Sequence, residues 1–201
     1  MTVYGGAEAN IYDITINGSA GANGKGNCIS VYSTTAVVNI YSGTFNGTDC
    51  TISGNNGGTV YNHGTLNIYG GTFSDAELID ALGGCLYSDG TLNIADAELK
   101  GDVYIAAGET TVSGATRIAD LQIANGIKVT LKELADGADI TVKADGEFTN
   151  ANADADAYVA NGWVKAAVGN QISVSGNVMS MTAAAAVSRM LSIADLLETI
   201  A

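Results

Sequence analysis

The sequence predicts an all-β fold, a parallel β-helix solenoid with three short strands per coil, followed by a C-terminal α-helix. Three observations predict it. Two short sequence blocks repeat in step, apolar and polar residues alternate within each block, and 26 glycines are combined with no proline. Such a composition, with only 14% charged residues, is typical of many short strands joined by tight turns.

The repeat is clearest in the second strand of each unit. The segments "NIYDITING", "NIYSGTFNG", "NIYGGTFSD" and "NIADAELKG" begin at Asn10, Asn39, Asn67 and Asn93, with offsets of 29, 28 and 26 residues. Self-similarity with a nearly constant period of this length is the sequence signature of a stacked repeat architecture.

A second block precedes each of these segments and supplies the first strand. It reads "TVY", "SVY", "TVY", "CLY" and "DVY", and it ends at Tyr4, Tyr32, Tyr61, Tyr87 and Tyr104. The third strand carries Ile16, Phe45, Phe73 and Leu99. Because successive side chains of a strand point to opposite faces, the aliphatic residues are expected inside and the Asn and Tyr residues outside.

Stacking the units buries the inner faces that one unit cannot bury alone. Each strand then pairs in parallel with its counterpart about 4.8 Å along the axis, and Ile11, Ile40, Ile68 and Ile94 form one inward column. A leucine-rich horseshoe would need a helix in every repeat, and an antiparallel sandwich would not repeat three-strand units in order. Glycines occupy the expected corners, at positions 43, 64, 70, 71 and 90.

The chain divides into two parts. Coils of about 26–29 residues run to residue 101 and shorter coils follow, so that the β-helix spans residues 1–178, with Phe148 and Trp163 closing its core. Residues 179–201 are predicted to be a helix that acts as a cap or a linker, because "TAAAAVSRMLSIADLLETIA" from Thr182 contains helix formers with apolar residues at helical spacing. The same helix could bind a partner or a second copy.

The outward columns are the candidate binding residues. They are Asn10, Asn39, Asn67 and Asn93, with Tyr32, Tyr61 and Tyr87. The Asn side chains could hydrogen-bond along a ladder, as in cross-β assemblies, or could contact sugars or ions. The Tyr rings could cover the sheet or offer a platform for sugar rings. Loops that begin at Ser19, Thr48 and Ala76 are expected to project from one edge, which in repeat proteins is often the binding face.

Reactive side chains do not form a recognisable catalytic constellation. His63, the single histidine, is interpreted as a surface turn residue. The three cysteines have no CxxC spacing and are interpreted as small, partly buried thiols; they are Cys28, Cys50 and Cys85. The carboxylates that a glycosidase would pair are interpreted as solvated instead; they are Asp75, Glu77, Asp80, Asp96 and Glu98.

The sequence gives little support for a bound metal, a cofactor or a negatively charged polymer as a partner. Asp154 and Asp156 in "NADADAY" are weak candidates for calcium, because the spacing and glycine of an EF-hand are missing, and no metal or cofactor is predicted. The net charge of −13, with eight Lys and Arg residues, argues against nucleic acid and anionic membranes as partners. The longest apolar runs are too short for a transmembrane segment.

The start of the chain shows no signal-peptide pattern, since Met1 leads directly into "TVYGG" and into the repeat. We therefore expect the sequence to be a piece of a larger, exported protein.

Three passages together resemble a known family. The "GTLNIYGGTF" coils, the passage "GDVYIAAGETTVSG" and the later "GEFTNANADADAYVANG" are similar to right-handed, pectin-lyase-like β-helix repeats in surface proteins of gut Firmicutes. The resemblance covers roughly residues 1–178. It implies a right-handed β-helix in an exported, cell-surface modular protein, and it carries over no catalytic residues.

Two function classes follow, and a third remains open. The first is a non-enzymatic adhesin or stalk on the bacterial surface that binds glycans or host or bacterial surface proteins through its outer face and loops. The alternative is a carbohydrate-active β-helix, a polysaccharide lyase or glycoside hydrolase, or a fragment of one. The third is self-association through the solenoid ends or the C-terminal helix.

Overall fold

A computed structural model of the chain describes residues 1–19, 25–143, 147–150 and 155–183. Over these residues the chain is predominantly β-structure, and its parallel sheets are built from repeats that stack on one another as in a solenoid. The expected all-β class and the parallel stacking are therefore confirmed.

The strands divide into two sets by the length of their repeats. The long repeats contain β1 (Thr2–Val3), β2 (Glu8–Ile11), β3 (Ile14–Asn17), β4 (Ile29–Val31), β5 (Val37–Ile40), β6 (Gly43–Asn46), β7 (Val60–Asn62), β8 (Thr65–Ile68), β9 (Thr72–Phe73), β10 (Leu86–Ser88) and β11 (Thr91–Ala95). The short repeats and the end of the described chain contain β12 (Glu98–Ile105), β13 (Thr110–Gly114), β14 (Arg117–Ile123), β15 (Lys128–Leu134), β16 (Asp139–Val142), β17 (Glu147–Asn150), α1 (Ala155–Ala160), β18 (Val164–Ala166), β19 (Asn170–Ser175) and β20 (Val178–Ala183).

Equivalent strands of successive repeats lie side by side in two sheets. One sheet has the order β1-β4-β7-β10-β12-β14-β16-β18, and the row β3-β6-β9 joins it at β12. The other has the order β2-β5-β8-β11-β13-β15-β17-β20-β19. Only the pairs that involve β20 are antiparallel among the strand pairs of the described residues. The long repeats thus present three rows of strands.

The strand β12 marks the change from long to short repeats. Its first residues pair with β9, its later residues pair with β10, and its ladder with β14 shifts register between Leu99 and Asp102. In the long repeats a loop of about a dozen residues, such as 74–85, separates these two rows, whereas here only Lys100 and Gly101 lie at the bend. Residue Ile94 consequently pairs with Val112, only 18 positions later. The repeats are shorter from this strand onward.

The core consists of inward columns that run through both sets of repeats. Ile11, Ile40, Ile68 and Ile94 are in register, and Val112 and Leu131 continue the column. A second column contains Phe45, Phe73, Leu99, Ile118 and Ile140, all of them buried. Each such side chain contributes roughly 1.5–3 kcal/mol when its apolar surface leaves water. The predicted Ile column is confirmed.

The first strand of the third repeat does not have the register that its sequence suggests. Val31 pairs with Asn62 rather than with Val60, and Val60 pairs with Ile29. The length of the corner between the first and second strands explains this shift. In the second repeat, seven positions separate the inward Val31 of β4 from the inward Val38 of β5. In the third repeat, only four separate the inward Asn62 of β7 from the inward Leu66 of β8. The strand slides by two residues, so its inward and outward faces are kept.

Two glycines show why the corners contain no side chains. A Cβ atom on Gly64 would lie 2.4 Å from the carbonyl oxygen of Ser33, and one on Gly90 would lie 2.2 Å from the carbonyl oxygen of Gly64. The chain therefore stacks backbone on backbone at this corner, as the sequence predicts for positions 64 and 90.

The end of the described chain corrects one expectation. The segment predicted to be helical begins at residue 179, but residues 179–183 belong to β20, which covers the last parallel strand, β17. The alternation of buried Met179 and Met181 with the less buried Ser180 is a strand pattern, and it places both methionines in the core. The rest of the predicted helix, residues 184–201, lies outside the described residues. Phe148 is buried in the core and Trp163 packs on it partly buried, as expected.

Candidate binding surface

The four predicted asparagines form a continuous amide ladder on the second sheet. Asn39 Nδ2 donates to Asn10 Oδ1 at 3.0 Å, Asn67 donates to Asn39 at 2.8 Å, and Asn93 donates to Asn67 at 2.8 Å. Asn39 also donates to Glu8 Oε1 and is only 8% exposed. Because the amides satisfy one another, the ladder stabilises the sheet, and its inner members have little capacity left for a ligand.

The ladder runs in one direction and ends at Asn93. Each Nδ2 group donates toward the preceding repeat, so every Oδ1 atom faces the following one. After Asn93 the column continues with Thr111 and Thr130. The outward column therefore changes from amides to hydroxyls where the repeats become short.

The predicted tyrosine column is present as a line of neighbouring rings, but its register is broken. Ring centroids are 5.5 Å apart for Tyr4 and Tyr32, 6.5 Å for Tyr32 and Tyr61, 5.6 Å for Tyr61 and Tyr87, and 5.9 Å for Tyr87 and Tyr104. The backbone of Tyr61 pairs with Ser30, not with Tyr32, as a result of the slide in the third repeat. The rings of Tyr32 and Tyr61 are tilted by 45°, and those of Tyr4 and Tyr32, whose strands are in register, are tilted by 54°.

The three candidate tyrosines differ greatly in their access to solvent. Tyr32 is 52% exposed, whereas Tyr61 is 4% exposed. Lys25 covers Tyr61, with Nζ 3.3 Å from the phenol oxygen and 4.6 Å from the ring centroid. Burial raises the pKa of the Tyr87 phenol, and the nearby Asp89 carboxylate raises it further. Of the three, only Tyr32 presents a large open surface.

A second tyrosine column was not singled out from the sequence. Tyr12 and Tyr41 stack with centroids 4.5 Å apart and ring planes within 2°, and Tyr41 and Tyr69 stack at 5.0 Å and 19°. All three rings are exposed. The signal was available, since each ring is the third residue of an "NIY" block. We call these three residues the exposed tyrosine stack.

Asn62 is a buried polar residue that the sequence pattern did not reveal. Its Nδ2 donates to Ser88 Oγ at 2.9 Å and to the Thr91 carbonyl oxygen at 3.0 Å, and its Oδ1 accepts from Gly64 N at 3.2 Å. It replaces an apolar residue in the inward column because the third corner is short, and its hydrogen bonds offset the cost of its burial.

The loops of the long repeats are stacked on each other rather than independent. Cys50 N donates to the Glu77 carbonyl oxygen at 2.9 Å, Gly54 N to that of Ile79 at 2.9 Å, and Gly57 N to that of Leu82 at 3.0 Å. The predicted projection of these loops from one edge thus takes the form of an ordered ridge. The stack ends above β12, where no loop follows.

A groove of about 320 Å³ lies where the loop ridge ends, and we call it the acidic ledge; it is lined by Asp75, Glu77, Leu78, Leu82, Asp102 and Gln122, with others. Asp75 Oδ1 accepts from Asp102 N at 3.3 Å. Its carboxylate rests on Gly84 and Gly101, where an added Cβ would lie 2.4 and 2.2 Å from it. Burial raises the pKa of Asp75, and the charges of Asp102 and Asp120 raise it further. Asp75 as a whole is nevertheless exposed, in agreement with its interpretation as a solvated group, and only its contact with the two glycines removes part of the carboxylate from water.

A lysine partly neutralises the carboxylates beside the ledge. Lys143 Nζ lies 3.1 Å from Asp102 Oδ1 and 3.3 Å from Asp120 Oδ2. These contacts, the hydrogen bond to Asp102 first among them, raise the pKa of Lys143. The ledge therefore combines a carboxyl group that is protonated more easily than usual with a fixed ammonium group.

The remaining predicted residues are separate from this groove. His63 Nδ1 lies 2.8 Å from Asp89 Oδ1 in the next corner, and Glu98 pairs with Lys100 and Arg117. Asp156 is exposed in the first turn of α1, and Asp154 lies outside the described residues. Over the part of the chain that is described, no three His, Cys, Asp or Glu side chains are grouped as metal ligands.

The cysteines are free and buried, as expected, at positions 28, 50 and 85. Burial, with a smaller effect of Asp75, raises the pKa of the Cys85 thiol far above its ordinary value. None of the three thiols is therefore presented as a nucleophile.

Comparisons with known proteins return no relative: no family profile, no curated protein and no solved structure matches this chain. Among the described residues, no helix has the length and apolar character that a bilayer crossing requires.

Proposed function

We propose that this chain is a right-handed parallel β-helix of the pectin-lyase-like kind and works as a non-enzymatic adhesin or stalk module at a bacterial cell surface. In this proposal it binds glycans or surface proteins through its outer face and its loop ridge. The observation that carries the proposal is the regular outward surface, in which amides repeat through four successive long repeats and exposed stacked rings through three.

Physical reasoning connects this surface with such a role. A ladder of mutually bonded amides and stacked rings holds its side chains in fixed rotamers, so little conformational entropy is lost when a partner binds. Exposed tyrosines supply apolar contact area together with a hydroxyl group. A rigid rod with a repeating surface fits a polymeric partner, whose own units repeat.

The test is a binding screen with an activity assay on the same preparation. The chain is immobilised and screened against a glycan array and against bacterial and host surface proteins, and it is incubated with acidic polysaccharides while chain length is followed. We expect binding to at least one glycan or protein and no change in polymer length. Turnover of any polysaccharide would refute the non-enzymatic role, and no binding in either screen would refute the adhesive one.

The acidic ledge favours one alternative, a carbohydrate-active β-helix of the lyase or hydrolase type. A carboxyl group with a raised pKa next to a second carboxylate and a lysine is an arrangement that acid–base catalysis uses. Under this alternative, Asp75→Asn abolishes turnover, whereas Asp80→Asn, which removes one charge from the same loop outside the lining of the groove, leaves it within about threefold.

A further inference from the structure

The exposed tyrosine stack ends abruptly at the fourth repeat. Ile68 pairs with Ile94, so the residue after Tyr69 in the outward column is Ala95, and Ala95 in turn pairs with Ser113. Neighbouring strands are about 4.8 Å apart, close to the 4.5 and 5.0 Å that separate the stacked rings. A ring above Ala95 would continue the stack, and two small side chains occupy that space instead.

The exposure of the three rings agrees with an uncovered face on Tyr69. Tyr41, which has a ring on each side, is 39% exposed, whereas Tyr69 is 48% and Tyr12 is 60% exposed. In a stack, the inner faces are covered by neighbouring rings and only the end faces are open. Among the described residues, Tyr41 is the single aromatic residue that stacks on Tyr69, so the face of Tyr69 above Ala95 is open.

The amide ladder ends at the same level. Asn93 and Ala95 are two residues apart on β11 and share its outward face. Asn93 uses Nδ2 to bond Asn67, so its Oδ1 atom faces the following repeat. Thr111 is next in the column, but no hydrogen bond from it or from any other described residue reaches Asn93 Oδ1. An aromatic face and an acceptor oxygen are therefore left side by side.

Ser113 does not close this space. Its Oγ donates to the Ile94 carbonyl oxygen at 3.3 Å, which keeps the short side chain close to the sheet. Two strand steps separate Tyr69 from Ser113, about 9–10 Å, which is enough for one flat ring between them. Beyond Ser113 the column continues with the exposed Lys132.

We infer that the shelf formed by Tyr69, Ala95 and Asn93 binds one hexopyranose unit of a β-linked glycan. The sugar stacks its apolar C–H face on the open face of Tyr69, lies above Ala95, and donates one hydroxyl hydrogen bond to Asn93 Oδ1. A β-linked hexopyranose fits because its substituent at C1 is equatorial and most of its other oxygens project from the rim, which leaves at least one C–H face of the ring free for stacking. This assignment rests on the proposed adhesive function and gives it a site and a ligand class.

A different occupant is less well matched to the shelf. A tyrosine or tryptophan side chain of a partner protein could stack on Tyr69, but its one donor group lies at the far edge of its ring system. A 1,4-linked hexopyranose unit carries donor hydroxyl groups at C2, C3 and C6, so several orientations of the sugar on Tyr69 bring one of them toward Asn93.

The experiment titrates the whole chain with cellotetraose, β-1,4-galactotetraose and maltotetraose by isothermal titration calorimetry. Ala95→Tyr extends the stack and fills the shelf, and Tyr69→Ala removes the platform. Ala119→Tyr is the matched control, since Ala119 is an exposed alanine on the other sheet. We expect the two shelf variants to weaken binding of a β-linked tetrasaccharide about tenfold, as loss of one ring contact would, and the control to bind like the original chain.

The outcomes separate this assignment from the proposed function. If the chain binds glycans on the array but Ala95→Tyr binds them with unchanged affinity, the shelf assignment is wrong and the adhesive role remains. If no glycan and no protein binds, both are wrong. Preference for the α-linked maltotetraose, or binding of an aromatic peptide in place of any sugar, overturns the ligand class. Circular dichroism of each variant shows that a loss of binding is not a loss of fold.

Discussion

The long and short repeats have the same core but cover it in different ways. In the long repeats, up to the end of β11 at Ala95, outward columns contain like residues: four asparagines and two sets of tyrosines. In the short repeats the outward partners are oppositely charged, as in Glu98 with Arg117 at 3.3 Å and Asp139 with Lys165 at 2.6 Å. The inward aliphatic columns pass through this change without interruption.

The difference shows which side chains can be repeated at a spacing of about 4.8 Å. An amide is both donor and acceptor and a ring has two equivalent faces, so each can be stacked on a copy of itself. A charged group repels its copy, so it needs a counter-charge nearby. Asp102 and Asp120, which are paired across β12 and β14, share the ammonium group of Lys143. Exposed ion pairs contribute little, typically about 0–1 kcal/mol each. The amide ladder and the exposed tyrosine stack are both confined to the long repeats.

The most severe way to test the shared core is to remove one large side chain from it. Phe73→Ala deletes a buried ring that stacks on Phe45 with centroids 4.6 Å apart, and we expect a loss of about 3–5 kcal/mol in the free energy of unfolding. Leu131→Ala in the short repeats should cost about 2–5 kcal/mol. Chemical denaturation measures both.

Thr15→Ala, at an exposed position of the first repeat, is the control and should change stability by less than about 0.5 kcal/mol. A loss below about 1 kcal/mol at either core position would mean that the inward columns are not equally packed in the two sets of repeats.

We expect one added methyl group at Gly90 to disrupt the corner that the long and the short repeats share. In Gly90→Ala the new Cβ would lie 2.2 Å from the Gly64 carbonyl oxygen, and the required backbone shift should cost about 1–3 kcal/mol. Gly5→Ala is the matched control, because its Cβ would lie no closer than 3.4 Å to any neighbour. If both substitutions change the thermal midpoint equally, the stacked corner is not a tight contact.

The parts of the fold that could be predicted depend on local patterns. Period-two alternation and the "NIY" repeat predict which residues point inward and which asparagines share a column, and both are confirmed at Ile40 and Asn67. The exposed tyrosine stack follows from the same "NIY" blocks, so the sequence pattern contains the signal that predicts it. Residues 179–183 show the limit of propensity, since the alternation of Met179, Ser180 and Met181 prevails over the helix formers that follow.

The parts that could not be predicted depend on contacts between distant residues. The slide that pairs Val31 with Asn62 results from the length of one corner compared with another. The pKa of Asp75 is raised first by its burial and then by the charge of Asp102, 27 residues away, and both depend on a loop whose path has no sequence signature. The acidic ledge and the shelf beside Tyr69 both lie where the repeats become shorter. The sequence predicts this change near residue 101, but it does not predict which side chains the change exposes.

The contrast between the outward columns is sharpened by truncating one member of each. Asn67→Ala leaves the Oδ1 of Asn39 and the Nδ2 of Asn93 without their partner, so we expect a loss of about 1–2 kcal/mol. Thr130→Ala in the short repeats should cost less than about 0.5 kcal/mol. Equal losses in chemical denaturation would show that the amide ladder contributes no more than the threonine column that continues it.

The smallest expected effect concerns the boundary between the two sets of repeats and is a pH dependence. Because the pKa of Asp75 is raised in the folded chain above its ordinary value of 3.8, the folded chain binds this proton more tightly than the unfolded chain does. The stability that Asp75 contributes is therefore highest at low pH and declines as the pH rises from the unfolded pKa through the folded one.

Asp75→Asn keeps an oxygen for the Asp102 N–H group and removes the charge. The variant should match the original chain near pH 3 and exceed its stability above about pH 5, by less than about 1 kcal/mol because the side chain keeps contact with solvent. Glu77→Gln, which removes one negative charge from the same loop, separates this local effect from that of net charge. Thermal unfolding at several pH values measures the difference, and an Asp75→Asn variant that becomes less stable than the original as the pH rises would contradict the burial of this carboxyl group.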